Sequence, residues 1–184
     1  MDSNAVAEAL KDAVPEGAVE PVIATDGMPT IYVAREHLSE VCRILRDRPE
    51  LRVTLAADMT AVDFMPREPR FEVVVHLAAL GGEPKRLRIK VRVPGDDLRV
   101  PTISGVWPSM NWAEREVWDL FGIQFENHPD MRRILMPDDW EGHPARKDYP
   151  VQIKMTPKVY EPLQLTPDQF AANIRADRAR ATHE

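Results

Sequence analysis

The chain has 184 residues, of which 17 are proline and only 8 glycine, and its 24 basic and 30 acidic side chains give a net charge of −6. With 43% hydrophobic and 29% charged residues it has globular composition and enough length for one good core. No apolar run approaches the ~20 residues that cross a bilayer. The single cysteine, Cys42, rules out a disulfide scaffold or a thiolate-held cluster built from this chain alone, and the acidic balance argues against nucleic-acid binding.

The N-terminus is acidic and lacks the basic and apolar regions of a signal peptide, and the lone cysteine makes a reducing cytosol the expected home. Pro21–Ala24 and Thr30–Ala34 read as short strands around a turn at 25–29. Leu38, Val41, Cys42 and Leu45 then fall at i, i+3, i+4 and i+7, one apolar helical stripe that Pro49 stops. Cys42 lies on that stripe, which predicts a buried and inert thiol. Next, Val53, Leu55, Ala57 and Met59 alternate with Arg52, Thr54, Ala56 and Asp58. Phe71, Val73, Val75 and Leu77 repeat the pattern. After a turn at Gly81–Pro84, Leu87, Ile89, Val91 and Val93 alternate with Arg88, Lys90 and Arg92. Three such strands with short connections predict an antiparallel meander, one face buried under the helix and the other in water. The basic face of its last strand, which includes Lys85 and Arg86, reads as solvated edge chemistry. The expected fold is α+β: a two-layer domain with a mostly antiparallel sheet covered by helices.

The character changes near Pro94. Ten of the 17 prolines and all four tryptophans lie in the half that begins there. A helix over 112–121 is expected, capped by Asn111, with Glu114 in the capping-box position and Gly122 as terminator. On a helical wheel Ala113, Val117, Leu120 and Phe121 share a core-facing arc. Arg115, Glu116 and Asp119 lie opposite, with Trp112 among them and Trp118 off the core arc. Arg115 and Asp119, four residues apart, are the natural ion pair. The residues after Gly122 read as turns and extended segments, closing with a helix at about Pro167–Arg180 that Thr166 caps. The organisation expected is a core domain over 1–122 and a proline-rich extended arm over 123–184.

Catalytic readings are weaker than the surface reading. Glu116 and Asp119 could form an acid–base pair of a hydrolase, and His128 and His143, near Asp130, Asp138 and Asp139, could hold a divalent metal. No histidine pair has helical metal-ligand spacing, and no phosphate loop, nucleophile elbow or nucleophile–base pattern is present. Two tryptophans outside the core face of one short helix, beside Arg115, instead suggest a surface that a partner buries.

The run from Asn111 to Phe125 (NWAEREVWDLFGIQF), followed by Asn127–Pro150 (NHPDMRRILMPDDWEGHPARKDYP), resembles the C subunit of the proton-pumping NADH:quinone oxidoreductase, respiratory complex I. Asp58–Asp63, Phe71–Leu77 and Trp107–Ser109 fit the same pattern, and the likeness covers roughly residues 30–150. It departs at Met110, Trp118 and Ala145, none a charged motif position. The resemblance implies a peripheral-arm subunit on the cytoplasmic face of a bacterial plasma membrane. Such a subunit carries no cofactor of its own, while FMN, iron–sulfur clusters and quinone belong to the whole complex. It implies contact with subunits D and B, and scaffolding in place of catalysis. Related membrane-bound hydrogenases and other-donor dehydrogenases use similar subunits. The expected partner surface comprises Trp112, Glu114, Arg115, Glu116, Trp118 and Asp119 on the helix. Beyond it come His128, Asp130, Arg132 and Arg133, and then Trp140, His143, Arg146, Lys147, Asp148 and Tyr149. The proline-rich segment 129–167 is expected to extend over the D subunit.

Overall fold

The computed structural model describes residues 2–80, 85–151 and 166–181. The expected turn at Gly81–Pro84, and residues 152–165 of the expected arm, lie outside them. The chain divides into one compact unit over Met1–Tyr149 and a second over Pro150–Glu184. The boundary expected at 122 therefore falls inside the first unit.

In chain order the first unit contains α1 (Ser3–Leu10), β1 (Val19–Val22), β2 (Thr30–Val33), a 3-10 turn (Arg35–His37) and α2 (Leu38–Asp47). Then follow β3 (Leu55–Asp63), β4 (Phe71–Ala79), β5 (Lys85–Val93), β6 (Arg99–Pro101), α3 (Met110–Phe121) and β7 (Gln124–Glu126). The main sheet has the order β1-β2-β5-β4-β3. β3, β4 and β5 form the expected antiparallel meander, with Val75 facing both Met59 and Ile89. β2 joins β5 in parallel, Ile31 opposite Ile89, which makes the sheet mixed. A second, two-stranded parallel sheet pairs β6 with β7, so the extended chain expected after Gly122 is a paired strand at residues 124–126.

One face of the sheet is dry. Phe71, Val73, Val75 and Leu77 on β4, and Leu87, Ile89, Val91 and Val93 on β5, form one core with Val6 and Leu10 of α1 and the α2 stripe Leu38, Val41, Cys42 and Leu45. Removing each such side chain from water contributes roughly 1.5–3 kcal/mol, the main source of the fold's stability. Burial pushes the Cys42 thiol far up, so it stays a protonated core residue. The helix α1 was not visible as an element in the sequence, because its two core residues, Val6 and Leu10, are too few to show a period. In β3 the expected alternation breaks. A bulge between Ala56 and Asp58 inserts Ala57, so Leu55 and Ala57 point outward while Ala56 and Met59 turn inward. On the wet face the cations of β5 meet carboxylates of neighbouring segments: Arg88 with Asp26, Lys90 with Glu72 (3.0 Å) and Arg92 with Glu20 (3.0 Å). These pairs leave that face no concentrated positive field.

In the second unit α4 (Pro167–Ala181) opens as expected on Thr166. The Thr166 hydroxyl accepts from the Gln169 N–H (3.3 Å), and the Gln169 side chain accepts from the Thr166 N–H (3.0 Å), a reciprocal cap.

α3 begins at Met110 and not at 112. Ser109 precedes it in helical conformation and no side chain caps it, which corrects the expected Asn111–Glu114 capping box. Gly122 ends the helix as expected, in the left-handed region at φ 77°, its N–H donating to the Trp118 carbonyl (2.7 Å). A Cβ at this position would also lie 2.5 Å from atoms of both His143 and Arg146. Gly122→Ala is therefore expected to destabilise the domain by about 2 kcal/mol or more in urea unfolding. A variant as stable as the parent would show that His143 and Arg146 do not pack there.

Candidate functional site

Residues 127–149 fold onto α3 and onto the end of the β3–β4 hairpin, which puts most of the expected surface residues in one cluster. They do so because α3 ends in unsatisfied carbonyls. The Trp118 carbonyl is met by Gly122. The Asp119 carbonyl takes His143 Nδ1 (2.9 Å), Leu120 takes the Ala145 N–H (3.0 Å), and Phe121 takes Arg146 Nε (2.5 Å). The segment is a C-terminal cap made of distant chain, where an extended arm was expected.

Asp119 is the centre of the cluster. It lies in the last turn of α3, at the negative end of the helix dipole, a poor place for an anion. The loop compensates. One carboxylate oxygen accepts the backbone N–H groups of Ile134 (3.0 Å), Leu135 (2.8 Å) and Met136 (2.9 Å), while the other takes Arg133 Nη1 (2.5 Å). Burial pushes this carboxyl up, but the three N–H groups and the guanidinium outweigh it and hold it at about 2. Arg133 also donates to the Trp140 (2.7 Å) and Gly142 (3.1 Å) carbonyls. Arg115, only 8% exposed, donates to the carbonyls of Arg132 (3.0 Å) and Arg133 (3.1 Å). The expected Arg115–Asp119 ion pair is thus replaced: each residue bonds the loop, because carbonyls and N–H groups left unpaired there need partners more than two solvated charges do.

A second carboxylate fastens the other end. Asp63 accepts from Arg70 Nε (3.0 Å) and Nη2 (2.8 Å) and from the N–H groups of Met65 (2.9 Å) and Lys147 (2.9 Å). Arg70 reaches on to Asp148 (2.9 Å). The Arg70 bonds hold the Asp63 carboxyl well below the usual range despite burial. Between the two anchors Trp140 stacks on Tyr149, centroids 6.5 Å apart, and the Tyr149 hydroxyl donates to the Glu141 carbonyl (3.1 Å).

Glu114 is fully buried. It accepts from Thr102 Oγ1 (2.5 Å) and the Ile103 N–H (2.7 Å), with His128 Nε2 at 3.9 Å. Burial outweighs these bonds and pushes its carboxyl up to about 7. His128 is engaged by backbone on both nitrogens: Nδ1 accepts from the Asp130 N–H (3.0 Å), which leaves Nε2 to donate to the Asn111 carbonyl (3.1 Å). Trp118 is half-buried, with His143 at its edge and Arg133 over its ring. Trp112 (61% exposed), Glu116, Arg132 and Lys147 face outward, Arg132 paired with Asp130 (2.6 Å) and Lys147 Nζ near the Met65 carbonyl (3.4 Å).

Sequence reasoning did not single out Asp63, Arg70 and Thr102 as parts of this cluster, nor Ile134 and Leu135. Their roles depend on contacts between segments that no local spacing records. The acid–base reading of Glu116 and Asp119 loses its second member, since both Asp119 oxygens are filled by donors. Among the described residues no group of three His, Cys, Asp or Glu side chains is placed to hold a metal ion.

The fold and the site together define an α+β domain in which the clustered charges hold backbone. The chain belongs to the family of the 30 kDa subunit of respiratory-chain NADH dehydrogenase, whose model matches residues 31–154. It is 53% identical over 127 residues to the C subunit of NADH-quinone oxidoreductase from Geobacter sulfurreducens, covering 68% of this chain and 76% of that one. The C/D subunit of NADH-quinone oxidoreductase from Gluconacetobacter diazotrophicus is 42% identical over 176 residues, 92% of this chain and 28% of its own length. Among solved structures, the trypsin-resistant fragment (1–134) of Nqo5 matches with a TM-score of 0.57 and 33% identity, over 69% of this chain and 96% of the fragment.

Two expectations follow. Asp119→Ala leaves three backbone N–H groups and a guanidinium without their acceptor, and should cost about 3 kcal/mol or more in urea unfolding. A loss below about 1 kcal/mol would mean that the loop holds without it. Glu114 has a folded pKa above its unfolded value, so the stability linked to it is present below about pH 4.5 and lost as pH rises through about 7. Glu114→Gln should flatten the fall of melting temperature between about pH 5 and 8, and parallel curves for the two proteins would contradict the assignment.

Proposed function

We propose that this chain is the scaffolding C subunit of a proton-translocating NADH-quinone oxidoreductase. That complex passes electrons from NADH through FMN and iron–sulfur clusters to quinone, and the chain supplies geometry to its peripheral arm. The observation that carries the reading is the cluster on α3: in a family-matched segment, its buried carboxylates and guanidiniums fix a loop and leave no acid–base pair free. Fixed spacing between neighbours is what electron transfer and quinone access require of a scaffold. Within the expected partner surface the exposed Trp112, Glu116, Arg132 and Lys147 would meet neighbours. Glu114, Arg115, Asp119, His128, Arg133, His143 and Arg146 would act from beneath by holding the loop.

The D subunit is the proposed main neighbour. The two letters in the name of the Gluconacetobacter relative support it, since subunits fused in one chain stay side by side. Contact with the B subunit, a position on the cytoplasmic face of the inner membrane and the lack of a cofactor in this subunit follow from the family resemblance. Among the described residues no helix is long and apolar enough to cross a membrane, which fits attachment through other subunits.

Tagged chain, expressed in place of its untagged copy, should bring down subunits D and B with cluster-bearing partners from solubilised membranes. Deleting it should abolish NADH:quinone activity in membranes, and the full chain should restore it. Recovery of the tagged chain alone, together with unchanged membrane activity after deletion, would overturn the proposal.

A further inference from the structure

We propose a proton-driven switch inside the first unit. When Glu114 loses its proton, the Nε2–H of His128 passes from the Asn111 carbonyl to the Glu114 carboxylate, and residues 128–130 move with the ring. Two acceptors flank one donor. Nε2 lies 3.1 Å from the Asn111 oxygen, a hydrogen bond, and 3.9 Å from Glu114 Oε2, just beyond one. Both side chains are dry, His128 1% and Glu114 0% exposed.

The ring acts as a neutral donor. Its Nδ1 accepts from the Asp130 N–H (3.0 Å), so a second ring proton would meet another donor there. His128 therefore answers the charge on Glu114 without taking one itself. The groups that face Glu114 from other elements supply no cation to compete for it. From α2 comes Cys42, a protonated thiol that the Glu114 charge, after burial, pushes up further. From the segment before α3 come the hydroxyls of Thr102 and Ser104. On α3 itself Arg115 and Asp119 are bonded to residues 132–136. The charged neighbours of His128 on its own segment are Asp130 and Arg132, which pair with each other (2.6 Å).

Burial pushes the Glu114 carboxyl up to about 7, so both of its forms are populated near neutrality. Protonated, it is a weak acceptor and Nε2–H stays on Asn111. Ionised in a dry core, it becomes the strongest acceptor in reach, because charge-assisted hydrogen bonds are roughly twice as strong as neutral ones. Release from Asn111 orphans no carbonyl, since that residue lies inside α3, where its oxygen takes a helical N–H. The departing proton has a path: Thr102 Oγ1 is 2.5 Å from Glu114, and Ser104 Oγ, on a half-buried residue, is 2.7 Å further on. Nδ1 grips the Asp130 amide, so the state of a buried acid is carried to an ion pair at the surface.

The test follows the full chain, labelled with 13C and 15N, by NMR between about pH 5 and 9. The Glu114 Cδ resonance should titrate near 7, and the His128 Nε2–H and Asp130 amide should shift with the same midpoint while Nδ1 stays unprotonated. Glu114→Gln should abolish the joint shift and leave His128 on Asn111. The parent's own curves decide the matter even if that variant does not fold. A Glu114 resonance that titrates while His128 and Asp130 stay still would overturn the switch, as would one that does not titrate in this range. Protonation of Nδ1 through the same range would replace it with an ordinary ion pair. A joint shift that persists in Glu114→Gln would also overturn it, by placing the trigger on another group.

Discussion

The bond between the Asp119 carboxylate and three successive backbone amides is the constraint on which the second half of the first unit depends. Residues 127–149 have few backbone bonds among themselves and belong to neither sheet. They take their conformation from α3, whose last carbonyls they satisfy, and from Asp119 and Asp63, whose oxygens gather donors from separate parts of the loop. The need for long, forked donors explains why arginine recurs here. Arg115, Arg133 and Arg146 each reach backbone carbonyls, and Arg115 and Arg133 serve two apiece, which a lysine's single nitrogen would do poorly.

Two acids of one short helix show how environment sets charge. Asp119 and Glu114 are both without exposed surface. Asp119 has four donors and is driven to about 2, whereas Glu114 has a hydroxyl and an amide and is driven to about 7. Burial pushes both carboxyls up; at Asp119 the three amides and the guanidinium overcome it, whereas at Glu114 the hydroxyl and the amide do not. Asp119 is therefore a fixed anion at neutral pH, and Glu114 a group held near its midpoint in a dry core.

The sheet and α2 were legible because alternation and the i, i+3, i+4, i+7 stripe are local signals that long-range packing reinforced. Gly122 as a helix stop and Thr166 as a cap were legible for the same reason. The bulge at Ala57 was not: one inserted residue turns Leu55 outward and Ala56 inward, and Leu55 looks the same in either phase. The parallel partner of β5 was also hidden, since Thr30–Val33 carries no sign of which edge it will join. On α3 the wheel placed Arg115 and Asp119 opposite the core correctly, yet both are buried, because a later segment covers that face. The motif at 127–150 was clear as a resemblance. Its mechanism, a loop held by backbone bonds to side chains, could not be read from residue types.

The parallel pairing of β2 with β5 has a consequence for how the chain is made. Translation delivers α1, β1, β2 and α2 first, but β2 cannot take its place in the sheet until Ile89 and its neighbours have been synthesised. Until then the apolar stripe of α2 has no sheet to cover, whereas β3, β4 and β5 can pair as soon as each emerges. The nascent N-terminal quarter can pair β1 with β2 but leaves the α2 stripe uncovered until β5 is made. A chain that stops before β5 lacks Leu87, Ile89, Val91 and Val93 and so cannot close its core.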